Sequence, residues 1–347
     1  MKKTLKYFLL AIIAIPILIS CEKKEEVVEE SSEAETTVET PSSELGKIPI
    51  LFDSDANNEL DDQHAMAYLF FNDDIFDVVG VTVNATVSGG EIANHYKEAE
   101  RVMKLCNVID RYPLLSGANG DFEEIYPKIN EENFDGKEAV DFIISEARKP
   151  RTQKLVLMPV GKLTNIALAL AIAPDIKDKV RIIWLGANYP EPGEYNLDND
   201  IFSVNYVIEQ KVPLEIVLVR YGKPSATDAV RVTPEEVKEK MAGMGPKGST
   251  IEGRHGGSFT YFGDYAINLF ENIHLDGDIP SRALFDMVAV AILKNPDWGE
   301  TKEIPAPFLI GNQWMDRSDN IRKVVLWENF DKDAILEDFF NVMQTAK

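Results

Sequence analysis

The chain is nearly without cysteine and histidine, with two and four residues respectively among 347. A disulfide framework is excluded, and a zinc site of clustered Cys and His has no material to be built from. Cys106 lies in the apolar stretch Val102 to Val108 and reads as a small core residue. Basic residues are scarce as well. Lys and Arg total 36 against 58 Asp and Glu, a formal net charge of −22. Such a chain lacks the basic surface that neutralises phosphates, so no nucleic-acid partner is expected. Long apolar runs are missing too. The run Phe8 to Ile19 is too short to span a bilayer comfortably.

What is present at the start reads as targeting rather than fold. Lys2, Lys3 and Lys6 precede the apolar run, and Leu18-Ile19-Ser20-Cys21 follows it. This order resembles a bacterial lipoprotein box, in which small Ser20 permits cleavage and the Cys21 thiol takes the lipid. Residues 1–21 are therefore expected to be a lipoprotein signal peptide. The protein would be an exported lipoprotein of the cell envelope, touching the membrane through its lipid only. Between Glu22 and Glu44, nine Glu face two Lys with no aromatics. Too little surface can be buried there to offset ordering entropy, and like charges repel, so 22–46 reads as an extended, disordered acidic tether.

From Lys47 the texture changes. Ile48 to Phe52, Val78 to Val83, Leu155 to Val160, Arg181 to Leu185 and Leu214 to Val219 are short, nearly continuous apolar runs that predict buried strands. Asp61 to Phe71, Gly90 to Leu105, Gly136 to Ala147, Leu163 to Ala173 and Ile201 to Glu209 predict helices between them. The alternation predicts an α/β domain over 47–347 with a mainly parallel, doubly wound, Rossmann-like sheet.

In such sheets ligands bind beyond the carboxyl ends of strands. Phe52 is followed by Asp53, Asp55, Asn57, Asn58, Glu59, Asp61 and Asp62; Asn84 follows Val83; Asn188, Glu194 and Asn196 follow Leu185. Four Asp and one Glu in ten residues repel one another unless something neutralises them. A cation does so, and an oxygen-only donor set suits calcium or magnesium, with the number of candidate ligands favouring calcium. A solvated acidic loop capping the next helix is the other reading of the run. An EF-hand reading is weaker, because His64 stands where the bidentate Glu belongs. An aspartyl phosphotransferase reading is weaker too, because Asn57 stands where a small hydroxyl residue belongs.

These blocks resemble the inosine-uridine preferring nucleoside hydrolases over roughly 47–347. That family opens with a strand and Asp-Thr-Asp-x-x-x-Asp-Asp. The chain has Asp53-Ser54-Asp55 and then Asp61-Asp62, with two extra residues between. It is similar to a branch reading Asp-x-Asp-Ala-Asn-Asn-Glu-x-Asp-Asp. Gly161 to Leu170, Gly193 to Asn196 and Phe285 to Ala291 supply further blocks in order.

The resemblance implies calcium held by Asp55, Asp62, Asp286 and the Val160 carbonyl. It implies Asp55 as general base, Asp61 and Asn196 on the ribose diol, Asn188 and Glu194 at the 5′ end, Asn84 beside the water, and Asp53 as a brace. The activity implied is hydrolysis of the N-glycosidic bond of a small ribonucleoside, by a chain that can form homo-oligomers. A solute-binding lipoprotein that captures a nucleoside or polyol without cleaving it is the alternative.

One block departs from the family. Phe285 stands where His often precedes the Asp, and phenylalanine cannot protonate a departing base. His255, in Arg254-His255-Gly256-Gly257, or Tyr261 and Tyr265 beyond it, is the expected substitute; a stacked base protonated by solvent is the other solution. His64 and His95 on helices, Trp184 in a strand and Asn165 at a helix start read as structural.

Overall fold

The computed structural model describes residues 46–346. Cys21, the leader and all but the last residue of the expected tether lie outside that range. One sheet organises the described residues. Its strands are β1 (Ile48–Ser54), β2 (Phe76–Val83), β3 (Leu114–Ser116), β4 (Leu155–Pro159), β5 (Val180–Leu185), β6 (Leu214–Val217), β7 (Glu300–Pro305) and β8 (Lys323–Glu328). They lie in the order β7-β8-β6-β5-β4-β1-β2-β3. Every neighbouring pair is parallel except β7 with β8.

Period-two alternation decides what each face carries. Ile50 and Phe52 point to one side, with Val156, Met158, Ile183 and Leu185, and Leu51 points to the other, with Leu157, Ile182 and Trp184. Both faces are apolar, so helices cover both. The first face packs against α1 (Asp61–Phe71) and α2 (Ile92–Leu105). The second holds α3 (Phe122–Ile125), α4 (Lys137–Arg148), α5 (Thr164–Ile172) and, after the short α6 (Tyr195–Asn199), α7 (Ile201–Glu209). The chain then returns to the first face with α8 (Pro234–Met241), α9 (Phe262–Glu271), α10 (Phe285–Lys294) and α11 (Lys332–Thr345). No helix among the described residues is long and apolar enough to cross a membrane.

The winding positions the site. From β1 the chain goes outward through β2 to β3, then crosses back to β4 and goes outward the other way through β5 to β6. The reversal falls between β1 and β4, where connections diverge and leave a crevice at the carboxyl edge. Asp55 follows β1 and Val160 follows β4 at this point. The Val160 amide donates to the Asp53 carbonyl at 2.9 Å, which ties the two strand ends together.

The expected helices 61–71 and 201–209 have the observed bounds, and the other predicted elements differ by a few residues at their ends. β3, β7 and β8 are not among the strands that the apolar runs predict. In β7 the first four residues, Glu300 to Glu303, are all exposed. An edge strand of that kind has neither a buried run nor an alternating one.

Candidate functional site

Asp53 is the hub beneath the crevice. It is fully buried and accepts hydrogen bonds from Thr82 Oγ1 (2.6 Å), Asn165 Nδ2 (2.8 Å) and Asn84 Nδ2 (3.0 Å). Asn165 also receives the Ala118 amide at 2.9 Å. It is therefore a brace between segments. Burial pushes the Asp53 carboxyl up to about 7 even against these three donors. Trp184 supports the same wall from behind, its indole donating to the Gly161 carbonyl at 3.0 Å.

Above the hub stand the other carboxylates. Asp55 is buried and accepts from Thr86 Oγ1 (2.5 Å) and Asn58 Nδ2 (2.9 Å), both on Oδ2. Its Oδ1 faces Gly161: a Cβ placed there would lie 2.9 Å from it and 2.8 Å from Asn84 Oδ1. That Asn84 oxygen is buried and has no hydrogen-bond partner. Asp61 and Asp62 open α1, and Asp286 sits in the first turn of α10. These three offer oxygens within 4.8 Å of one another, all buried. Helix N-termini favour negative charge there, by less than burial opposes it. Burial raises Asp55 against the hydrogen bonds of Thr86 and Asn58; burial and repulsion from neighbouring carboxylates raise Asp62 and Asp286, and raise Asp61 to about 8. The cluster thus requires protons or a cation.

Asp55, Asp61, Asp62 and Asp286 line a cavity of 610 Å³ together with Val160, Glu194 and Asn196; Asn84 lies behind this lining. Glu194 caps α6, accepting the amides of Ala187, Asn196 and Leu197 at 2.9 to 3.0 Å. Burial lifts its carboxyl to about 7. Asn196 Nδ2 donates to the Val160 carbonyl at 2.7 Å, so it touches the backbone oxygen expected to face the ion. Asn188 is held instead by the Pro192 and Gly193 carbonyls and does not line this cavity. The cis Tyr189-Pro190 bond lies in the same loop.

A family model described as inosine-uridine preferring nucleoside hydrolase matches residues 50–334. The chain belongs to that family. Among curated relatives, it is 29% identical over 135 residues to the inosine-uridine preferring nucleoside hydrolase of Leishmania major, covering 37% of this chain and 43% of that protein. It is 23% identical over 197 residues to the Crithidia fasciculata enzyme of the same description, covering 55% and 58%. The chain thus spans about half the length of the curated relatives it matches. Among solved structures, it resembles a plant nucleoside hydrolase at a TM-score of 0.65 and 16% identity, over 86% of this chain and 99% of that one. A purine-preferring ribonucleoside hydrolase from Gardnerella vaginalis gives 0.65 and 19%, over 85% and 98%. Those likenesses show the nucleoside hydrolase fold.

Within this nucleoside hydrolase fold, the buried Asp61, Asp62 and Asp286 cluster can hold a divalent cation. The fit is chemical as well as spatial. All donors are hard oxygens, and the unpartnered Asn84 oxygen stands beside Asp55. His64, where an EF-hand would need its Glu, is sealed among Phe262, Phe270 and Phe339, with Nδ1 at 2.6 Å from the Leu60 carbonyl.

The structure places the expected leaving-group acids away from the cavity. His255 is exposed, its Nε2 taken by Arg254 Nε at 3.1 Å, and it does not line the cavity. Tyr265 is buried and donates to Glu98 at 2.6 Å. Tyr261 does not line the cavity either. A Gly-rich loop carried no information on where its side chains point. Several lining residues were not anticipated. Glu59, in the lengthened loop after β1, pairs with Arg282, which also approaches Asp276 at 3.5 Å. Arg231 pairs with Asp228 and Asp276. Tyr221 follows β6 and faces Phe285. Apart from Asp228 beside Arg231 and Asp276 near Arg282, these partners lie far apart in sequence, so little local signal marked them.

Proposed function

We propose that the protein is a calcium-dependent N-ribohydrolase that splits a ribonucleoside into ribose and free base. The observation that carries this reading is the convergence of Asp55, Asp61, Asp62 and Asp286, all buried, at the switch point of a nucleoside hydrolase fold. Relatives whose names state nucleoside hydrolysis support it.

Asp55, Asp62, Asp286 and the Val160 carbonyl would hold the ion, with Asp61 adjoining. When bound, calcium supplies a template for the ribose diol and lowers the pKa of a water. Asp55 takes the proton of the attacking water, since its two hydrogen bonds occupy Oδ2 and leave Oδ1 beside Asn84. Asn84 orients that water through its unpartnered Oδ1. Asp61 and Asn196 accept from or donate to the diol, and Glu194 binds the 5′ end. The surrounding carboxylates stabilise the positive charge that develops on the sugar ring. Asn188 reaches the substrate only if its loop moves.

Export fits the same reading. Leu18 to Cys21 supports a lipid anchor at the cell envelope, and the acidic stretch 22–46 supports a tether that sets the enzyme off the membrane. A panel of nucleosides incubated with calcium-loaded protein and resolved by chromatography tests the function. Free base and ribose are expected. Intact nucleosides that nonetheless bind would establish the solute-binding alternative instead.

A further inference from the structure

The cavity has a carboxylate side and an aromatic side, and Phe285 leaves the aromatic side without a proton donor at its position. The donors nearby are largely committed. Arg231 pairs with Asp228 and Asp276, and Arg282 pairs with Glu59 and approaches Asp276. The Tyr195 hydroxyl is turned away, accepting the Ser88 amide at 3.0 Å.

Tyr221 differs. Its hydroxyl accepts the Tyr195 amide at 3.4 Å and donates to no group among the described residues. Its ring meets Phe285 edge to face, centroids 5.9 Å apart at 88°. The backbone is bent to put it there. Arg220 has φ +42°, a left-handed conformation that a residue with a Cβ adopts only when its surroundings enforce it, and Gly222 follows at +68°. The enforcement is visible. Arg220 Nε donates to the Tyr189 carbonyl at 2.8 Å, and its guanidinium pairs with Glu328 on β8. On the other side the Gly222 amide donates to Asp228 at 2.8 Å. A strained turn pinned at both ends therefore presents Tyr221 to the cavity.

Resting on the nucleosidase reading above, we propose that Tyr221 meets the departing base, its ring forming a wall with Phe285 and its hydroxyl donating a hydrogen bond to a base acceptor. Although Tyr221 is 45% exposed, desolvation of its hydroxyl and the neighbouring Glu194 raise its phenol above the ordinary tyrosine range, so it keeps its proton. When the C1′–N bond breaks, the electron pair stays on the base nitrogen, which takes its proton from solvent water. The attacking water's oxygen bonds to C1′ and its proton passes to Asp55.

The test compares natural ribonucleosides with p-nitrophenyl riboside, whose leaving group needs neither hydrogen bond nor proton. Tyr221→Phe should lower kcat/KM on natural substrates by about tenfold, the worth of roughly one neutral hydrogen bond. On the activated riboside the loss should be about twofold or less, and that residual activity shows that the variant is folded. Equal losses on both substrates would place Tyr221 on the shared sugar and overturn the proposal, as would no loss on either. If the wild-type protein cleaves neither substrate, the nucleosidase reading itself falls and takes this assignment with it.

Discussion

On the reading proposed above, replacing Asp61 by Asn separates what the carboxylate cluster costs the fold from what a bound cation returns. Asp61 is 7% exposed, and burial with the nearby Glu59 raises its carboxyl to about 8 from 3.8. The sign follows from linkage. The folded state favours the protonated form, so its advantage is full below about pH 3.8 and is lost as pH rises through about 8. At pH 7, without calcium, that displacement costs on the order of 4 kcal/mol. An amide of the same shape carries no charge and avoids the cost. For a domain of this length each kcal/mol moves Tm by roughly 2 °C, so calcium-free Asp61→Asn should melt about 4 to 8 °C above calcium-free wild type at pH 7. Its Tm should also fall less steeply between about pH 4 and pH 8. Calcium narrows the gap. Saturation at a hundredfold excess over Kd stabilises wild type by about 2.7 kcal/mol, and the variant, one ligand-side charge short, should gain less. Scanning calorimetry in chelator and in calcium measures all four values. A variant that melts below wild type by the same margin in both conditions would refute the reasoning, because Asp61 would then be an ordinary packing residue.

Two further outcomes follow from the site and one from the leader. Asp55→Asn should lower kcat by about 10² to 10⁴ while the calcium-dependent rise in Tm persists in part, the range expected for loss of a general base; turnover at the wild-type rate would exclude Asp55 as the base. A 2′-deoxynucleoside should lose several kcal/mol of transition-state binding, as an order of magnitude, because a site built for a diol is left with unpaired groups; kcat/KM equal to the ribonucleoside's would contradict the diol geometry. Cys21→Ser should block lipidation, and mass spectrometry of the exported protein should show a lipid-bearing Cys21 in wild type alone; a mature terminus elsewhere removes the anchor.

Residues fixed by strand ends were legible in the sequence, and residues fixed by contacts across the chain were not. Asp55, Val160 and Asn196 follow apolar runs that form parallel strands, so one topological rule brings them to one edge. Asp286 needed a family block as well, since α10 arrives from the far end of the chain. Glu59 could be seen as acidic but not as the partner of Arg282, because the pair spans 223 residues. Tyr221 was hidden for another reason. Its position depends on a left-handed Arg220, and Arg carries no sequence signal for positive φ as Gly does. His255 shows the reverse case: a residue type suited to proton transfer lies outside the cavity, in a loop whose direction the sequence does not specify.

The order of construction within the site has a consequence for metal removal. Asp53 is held by Thr82 on β2, Asn84 just past it and Asn165 on α5. None of these contacts needs a cation. The Val160 amide bond to the Asp53 carbonyl and the Trp184 bond to the Gly161 carbonyl likewise set the cavity wall from protein groups alone. Buried networks satisfied in this way are rigid, since each group would lose its partner if the loop moved. Above the hub, Thr86 and Asn58 hold Asp55 and Ser54 Oγ donates to Asp62 at 2.5 Å, so these two carboxylates are positioned by protein groups without a cation. Stripping calcium should consequently raise the protonation of Asp61, Asp62 and Asp286 rather than unfold the strand ends. Activity would then return on adding calcium without a refolding step.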